Sequence, residues 1–288
     1  MGGRRQAGDQ PAAQGRRQGV RAQGARRWRL ALATTGRIAL ITGVSRRLGI
    51  GFGIAQRMLA DGARVVVQSW SPHDAEQRWG ADAAGAQRVI DALGGESDRL
   101  RSIAADFADP EAPRRVVEFT IEQFGAVDIL VANHARSAPG TLGSVTAADL
   151  DLAWAVNARA VVLLVQAFAN RHDDSRPDGR VVLFTSGQHL GPMADELPYA
   201  ISKGAVHQVT RSLADALADR GITVNAINPG PVDTGWPSDA DRERLRNAFP
   251  GGRWGEPADI APIVSWLATA ESAWITGQVI NAEGGFRR

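Results

Sequence analysis

Ile38-Ala39-Leu40-Ile41-Thr42-Gly43-Val44-Ser45-Arg46-Arg47-Leu48-Gly49-Ile50-Gly51 is the stretch that decides the architecture of this 288-residue chain. Its first four residues are apolar without alternation, as in a strand covered on both faces within a parallel sheet. A glycine-rich turn follows at once, and Ile54, Met58 and Leu59 then mark the apolar stripe of a helix. Strand, turn and helix in that order aim backbone N–H groups and the positive helix end at a pyrophosphate. Glycines alone would prove little, since any tight turn uses them. Their position between a strand and a helix is what predicts dinucleotide binding.

Working outward, apolar runs predict further strands over 64–67, 99–104, 128–131, 180–184, 222–227 and 277–280. Helical spacing predicts helices over 111–124, 146–170, 199–219 and 257–268. Strands alternating with helices at this spacing give a Rossmann-type, doubly wound parallel sheet, an α/β domain in three layers. One such domain over 37–288 accommodates the length and the 44% hydrophobic content. Residues 71–85 exceed a tight strand-to-helix connection and read as a surface loop pinned by Trp70 and Trp79, or else as a lid over the adenosine end. Residues 235–256 lack a clear period, hold Trp236, Phe249 and Trp254, and read as a mobile substrate cover.

The chemistry-bearing pair is Tyr199 and Lys203. The chain has one tyrosine, and Lys203 is the only lysine among 33 basic residues. Four residues apart on a helix, the two side chains share a face. An ammonium is a compact charge with three donors that can join a proton relay, whereas a guanidinium is a fixed planar fork. A unit charge about 4 Å from the phenol oxygen, at an effective dielectric of ~20, is worth roughly 4 kcal/mol and would lower the phenol pKa by up to about 3 units. The expectation is therefore a tyrosine that titrates near neutrality. Ser186 ends the strand 180–184 at the carboxyl edge of the sheet, thirteen residues before Tyr199, the edge where open α/β sheets place ligands. Asn157 lies inside an otherwise apolar helical stretch and needs a hydrogen-bond partner.

Cofactor choice is read at the tip of the second strand. An acid there would hold a ribose 2′-hydroxyl, but the tip reads Gln68-Ser69-Trp70 while Arg46 and Arg47 stand in the glycine turn. That favours NADP, with NAD still open because Asp74 or Glu76 could fold back.

Composition narrows the remaining classes. With no cysteine, neither a disulfide framework nor a thiolate metal site is available, which suits a cytoplasmic setting. The histidines at 73, 172, 189 and 207 show no metal-ligand spacing, and only His189, three after Ser186, is expected to face substrate. No run suggests a membrane span or a secretory leader. Residues 1–37 hold nine arginines against Asp9, a net of +8, so with +2 overall residues 38–288 carry −6. The arginine-rich segment 1–36 reads as a disordered, solvated extension. Nothing aromatic interleaves its first 27 residues, so a nucleic-acid arm is not the expected reading.

From about 37 to 285 the chain resembles the short-chain dehydrogenase/reductase family, in the branch that includes the 3-oxoacyl-[acyl-carrier-protein] reductases. The resemblance rests on Thr42-Gly43 with Gly49-Ile50-Gly51, Asp106, Asn133, Asn157, Ser186, Tyr199-x-x-x-Lys203, Pro229-Gly230, Ile275-Thr276-Gly277-Gln278 and Gly284-Gly285. It implies an NADPH-dependent reductase of a ketone or 3-oxoacyl thioester. Tyr199 would give a proton to the carbonyl oxygen, and Lys203 would lower its pKa and bond the nicotinamide ribose. Ser186 would orient the carbonyl, and Asn157 would hold a water linking Lys203 to solvent. Gly43, Ser45, Arg46, Arg47, Gly49, Ile50, Gly51, Ser69, Asp106, Phe107, Asn133, Pro229, Gly230, Val232 and Thr234 would line the cofactor, the last two at the carboxamide. The resemblance also implies a homo-tetramer. An NAD-dependent alcohol dehydrogenase and a catalytically silent dinucleotide-binding regulator are the competing readings. Two departures stand out: Arg47-Leu48 lengthens the glycine turn by two residues, and His134 takes the place of an alanine after the fourth strand, where it would narrow the pocket or turn out into a loop.

Overall fold

The computed structural model describes residues 2, 34–176 and 178–288. The extension expected over 1–36 lies, apart from residues 2 and 34–36, outside the described residues. Apolar β-branched runs become strands β1 (Ile38–Thr42), β2 (Arg64–Ser69), β3 (Leu100–Ala104), β4 (Ile129–Ala132), β5 (Arg180–Phe184), β6 (Thr223–Asn228) and β7 (Val279–Asn281). Between them lie helices α1 (Ile50–Ala60), α2 (Ser71–Glu76), α3 (Ala86–Ala92), α4 (Ala112–Phe124), α5 (Ala147–Trp154), α6 (Ala160–Arg171), α7 (Leu197–Leu217), α8 (Asp239–Arg246) and α9 (Pro257–Leu267). A π-helical segment, Ala155–Arg159, joins α5 to α6.

All seven strands are parallel, in the order β3-β2-β1-β4-β5-β6-β7. The winding reverses between β1 and β4, which opens a crevice at the carboxyl ends of those strands. The unbroken apolar run of β1 follows from burial on both faces. Ile38 and Leu40 join a core with Val116 and Phe124 of α4, Leu164 and Phe168 of α6, and Val206 of α7. Ala39 and Ile41 join a second core with Ile54 and Met58 of α1 and Ile260 and Val264 of α9. These are the three expected layers.

The long run Ala147–Arg171 has the length and hydropathy of a membrane span, more than the sequence pattern suggested. Its apolar content is accounted for by the core, where Val161, Leu164, Val165 and Phe168 are buried. Residues 235–256 are not irregular throughout, because they contain α8. That helix carries no apolar stripe, but a capping box formed by Ser238 and Asp241 starts it. Its flank is packed, with Trp254 against Trp236 and Phe249, and Phe249 against Phe286.

Candidate active site

The glycine turn is fixed by close backbone approach. A Cβ on Gly43, whose φ is +76°, would lie 2.7 Å from the His134 Cα, and one on Gly51 would lie 2.5 Å from the Gly43 carbonyl oxygen. The Asn133 amide donates to the Thr42 and Gly43 carbonyls at 3.0 and 3.2 Å, lacing the β4 end to the turn. Helix α1 begins after Gly49 with no side-chain cap and no acid in its first turn, so the N–H groups about Ile50 and Gly51 are left for an anion. The extra pair Arg47-Leu48 sits at the outer edge of this turn. It bulges as a turn closed by Gly49 N–H to the Arg46 carbonyl at 3.0 Å, with Leu48 63% exposed.

The two arginines stand differently from expectation. Arg46 pairs with Asp74 at 3.4 Å, and the same carboxylate accepts from the Ser45 hydroxyl. Arg47 lies on the outside in a bidentate pair with Asp82, at 2.9 Å. Asp74 has thus folded back, and neither guanidinium is unpaired. Residues 71–82 are accordingly no plain surface loop. His73 accepts from the Ser137 N–H at 3.1 Å, and Arg78 donates to the Trp236 carbonyl at 2.7 Å. The segment therefore straps the carboxyl edge from the β1 turn to the loops after β4 and β6.

Other expected cofactor contacts divide. Ser69 ends β2 half-buried, and Asp106 accepts from the Ala108 N–H in a tight turn after β3. The Phe107 side chain is 3% exposed in the core and packs on the His134 ring at 4.2 Å, which leaves its backbone as the part that faces the edge. The Val232 side chain is 3% exposed and its carbonyl accepts from the Trp236 indole at 2.9 Å, while Thr234 nearby is half-buried. Gly230, at φ +62°, abuts Glu283 directly after Pro229. This rigid turn closes the β6 end.

Asn157, Ser186, Tyr199 and Lys203 converge at the same edge. Burial lowers the Lys203 ammonium to about 8, and its Nζ donates to the Phe184 carbonyl at 2.9 Å, beside Ser186. It lies 5.8 Å from the Tyr199 ring centroid. The phenol is pushed up to about 12, first by burial and then by the Glu196 charge, against a hydrogen bond from Ser186 that lowers it. The expected downward pull of Lys203 on Tyr199 is therefore corrected: the ammonium gives one of its protons to the Phe184 carbonyl, and burial dominates the phenol. Asn157 is fully buried in the π-helical segment. Its Oδ1 accepts from the Arg136 N–H at 2.6 Å, and its Nδ2 donates to the Arg136 carbonyl at 2.9 Å and to Ser202 Oγ at 3.0 Å. Both amide protons are used, so a water reached through that side chain has only the second lone pair of Oδ1.

His134 neither narrows the cleft nor turns out into a loop. It is 5% exposed, bonded at Nδ1 to the Thr42 hydroxyl at 2.7 Å and at Nε2 to the Val156 carbonyl at 3.0 Å. A carbonyl only accepts, so Nε2 carries the proton and the Thr42 hydroxyl donates to Nδ1. The imidazole pins the π-helical segment to the glycine turn, and nothing in the motif pattern signals this. Burial and the nearby Lys203 charge lower its pKa to about 3 from 6.5. The unfolded chain binds the proton first, so stability is whole above pH 6.5 and falls as pH drops toward 3. Urea unfolding should show a loss of about 2–3 kcal/mol between pH 7 and pH 4.5 from this group. His134→Ala should be less stable at pH 7 but have a shallower acid limb, and an unchanged limb would refute the assignment.

Two other ionisable clusters lie outside the four converging residues. Buried Asp128 is held by Arg176 at 2.6 and 2.8 Å at the amino end of the sheet, away from the crevice. The His189 and His207 rings meet tilted at 40° with centroids 4.4 Å apart, and among the described residues no three potential ligands gather for a metal.

The family profile described as Enoyl-(Acyl carrier protein) reductase matches residues 43–287. Uncharacterized oxidoreductase YjdA of Bacillus subtilis is 39% identical over 253 residues, covering 88% of this chain and 97% of the relative. A dehydrogenase/reductase from Sinorhizobium meliloti superposes with a TM-score of 0.79 at 32% identity, covering 90% of this chain and 98% of the other. A short chain dehydrogenase from Burkholderia cenocepacia, solved in complex with NADP, gives 0.74 at 36% identity, covering 87% and 98%.

Proposed function

The chain belongs to the short-chain dehydrogenase/reductase family of NAD(P)-dependent oxidoreductases, and from that premise we propose that it uses NADPH to reduce a ketone or 3-oxoacyl thioester to a secondary alcohol. The observation that carries the reading is the only tyrosine of the chain, held as a protonated phenol by a pKa of about 12 beside Ser186 at the carboxyl edge of the sheet. Carbonyl reduction consumes a proton at the substrate oxygen, and a neutral phenol is the form that gives one.

The residues fit the coenzyme by two tests. Gly43 and Gly51 allow the close backbone approach that shapes the turn, since a Cβ at either would clash with neighbouring backbone, and the uncapped start of α1 presents donors to a pyrophosphate. Gly43, Gly49, Ile50 and Gly51 would hold it there, Asp106 and Asn133 would flank the adenosine, and Pro229, Gly230 and Thr234 would flank the nicotinamide end. When bound, the nicotinamide supplies the hydride. The Ser186 hydroxyl would orient the carbonyl and meet its developing charge. Lys203 has two ammonium protons left after Phe184, enough to bond a ribose and stabilise the departing phenolate. NADPH is supported by the absence of an acid at the β2 tip and by the relative solved with NADP. Residues 235–256, with the aromatic cluster of Trp236, Phe249 and Trp254, would cover the substrate.

The apolar groove of about 520 Å³ between α5, α6 and α7, lined by Trp154, Val162 and Val209, supports self-association, with a tetramer as the expected mass in solution. The cysteine-free composition supports a cytoplasmic placement. The deciding experiment follows cofactor oxidation at 340 nm against ketones and 3-oxoacyl thioesters. Turnover with NADPH well above that with NADH is expected. Turnover confined to NAD with alcohols would instead establish the oxidative reading.

A further inference from the structure

The β1 turn offers four donors of the kind that hold phosphate: the Ser45 hydroxyl, the Arg46 guanidinium, the Arg47 backbone N–H and the Arg47 guanidinium. Every one already faces a carboxylate from the strap. Asp74 Oδ2 accepts from Ser45 Oγ, and Asp74 Oδ1 faces Arg46 Nε at 3.4 Å. Asp82 accepts from the Arg47 N–H at 3.0 Å and from its guanidinium in bidentate fashion. The inner pair is the enclosed one: the Arg46 and Asp74 side chains are 14% and 13% exposed. The Trp79 ring lies against Arg46, 5.7 Å from centroid to Cζ, with its indole N–H buried and unpaired. The inner corner therefore holds a hydroxyl, a guanidinium, an orphan N–H and a single carboxylate.

We propose that Asp74 is the cofactor-selecting residue of this chain, an internal anion seated where the 2′-phosphate of NADP(H) docks and displaced by it. The proposal rests on the NADPH reading above. Carboxylate and phosphate are both oxyanions that want the same hydroxyl and the same guanidinium, and like charges at one cation repel. A nucleotide with a 2′-phosphate must therefore take Ser45 and Arg46 away from Asp74. One with a bare 2′-hydroxyl makes no such demand, so the carboxylate taxes only the phosphorylated cofactor. The corner also links binding to coverage, since Asp74 lies on the strap whose neighbour His73 is bonded to Ser137 and whose Arg78 is bonded to Trp236. The phosphate would replace one strap anchor while the Asp82 anchor holds.

The test is calorimetric titration of the purified chain with NADP⁺, NAD⁺, 2′,5′-ADP and ADP, with no turnover involved. Asp74→Asn keeps the shape and removes the charge. It should bind NADP⁺ and 2′,5′-ADP at least tenfold tighter than the parent and bind NAD⁺ and ADP within twofold. Ser45→Ala should weaken NADP⁺ several-fold, because the hydroxyl passes to the phosphate. Unchanged or weaker NADP⁺ binding by Asp74→Asn, in a variant with the parent's thermal midpoint, overturns the proposal. Weaker NAD⁺ binding also overturns it, since Asp74 would then be holding the 2′-hydroxyl. Should the parent itself prefer NAD⁺, the NADPH reading fails separately, whatever the variants do.

Discussion

Tyr199→Phe is expected to lower turnover about 10³-fold while leaving NADP⁺ affinity and fold stability nearly unchanged. The substitution removes one oxygen at the point where the proton leaves. General acid catalysis by a positioned group is worth about 10²–10⁴ in rate, and a thousandfold loss corresponds to about 4 kcal/mol of barrier. The phenol stands at about 12 and stays protonated from pH 6 to 9, so the parent should show no alkaline-limb loss from this residue below pH 9 in the reductive direction. Its alkaline decline should instead begin near pH 8, where the buried Lys203 amine gives up its charge. The phenol's own partner is the Ser186 hydroxyl, and losing one such bond costs about 1 kcal/mol. Single-turnover rates, NADP⁺ titration and urea unfolding measure the three quantities separately. A variant retaining more than a tenth of the parent rate would remove Tyr199 from the acid role.

The sheet was legible because its signals are redundant. Each buried strand is an apolar run of the right length, and β5 matches its expected bounds residue for residue. The convergence of Ser186, Tyr199 and Lys203 was legible from topology, since a strand end and the helix after it must meet at the carboxyl edge. Helix α8 escaped notice because its sequence DADRERLR has no apolar period; only its Ser238–Asp241 capping box announced it. The π-helical segment escaped because a run such as Ala147–Arg171 reads as continuous helix, and the extra residue shows only once His134 takes the Val156 carbonyl. Charge pairing was the least legible feature. Arg46 and Arg47 look free in a linear sequence, and their partners Asp74 and Asp82 lie far along a segment without periodicity. Spacing likewise puts Lys203 on the face of Tyr199 but does not reveal that its ammonium bonds the Phe184 carbonyl.

That same ammonium makes Lys203→Met a variant in which activity and stability should move in opposite directions. Lys203 is 1% exposed, and its pKa falls from 10.5 to about 8 through burial. The charged form is therefore penalised in the folded chain by about 3 kcal/mol. Methionine fills a similar volume without charge, losing the charged bond to the Phe184 carbonyl at about 1.5–3 kcal/mol. The net gain is then about 0–1.5 kcal/mol, or up to about 6 °C in Tm for a domain of this size. The sign can be checked against pH. The unfolded chain binds the proton more tightly, so the penalty in the parent is full below about pH 8 and fades as pH rises toward 10.5. The advantage of the methionine variant should accordingly be largest at pH 7 and nearly gone at pH 10. Turnover should fall by 10² or more, since no cation then steadies the phenolate. Lys203→Arg tests the same physics from the other side: it keeps a charge that cannot be shed in a space shaped for an amine, and should lower Tm. A methionine variant less stable than the parent at pH 7 would mean that the contact with Phe184 outweighs the cost of burying the charge.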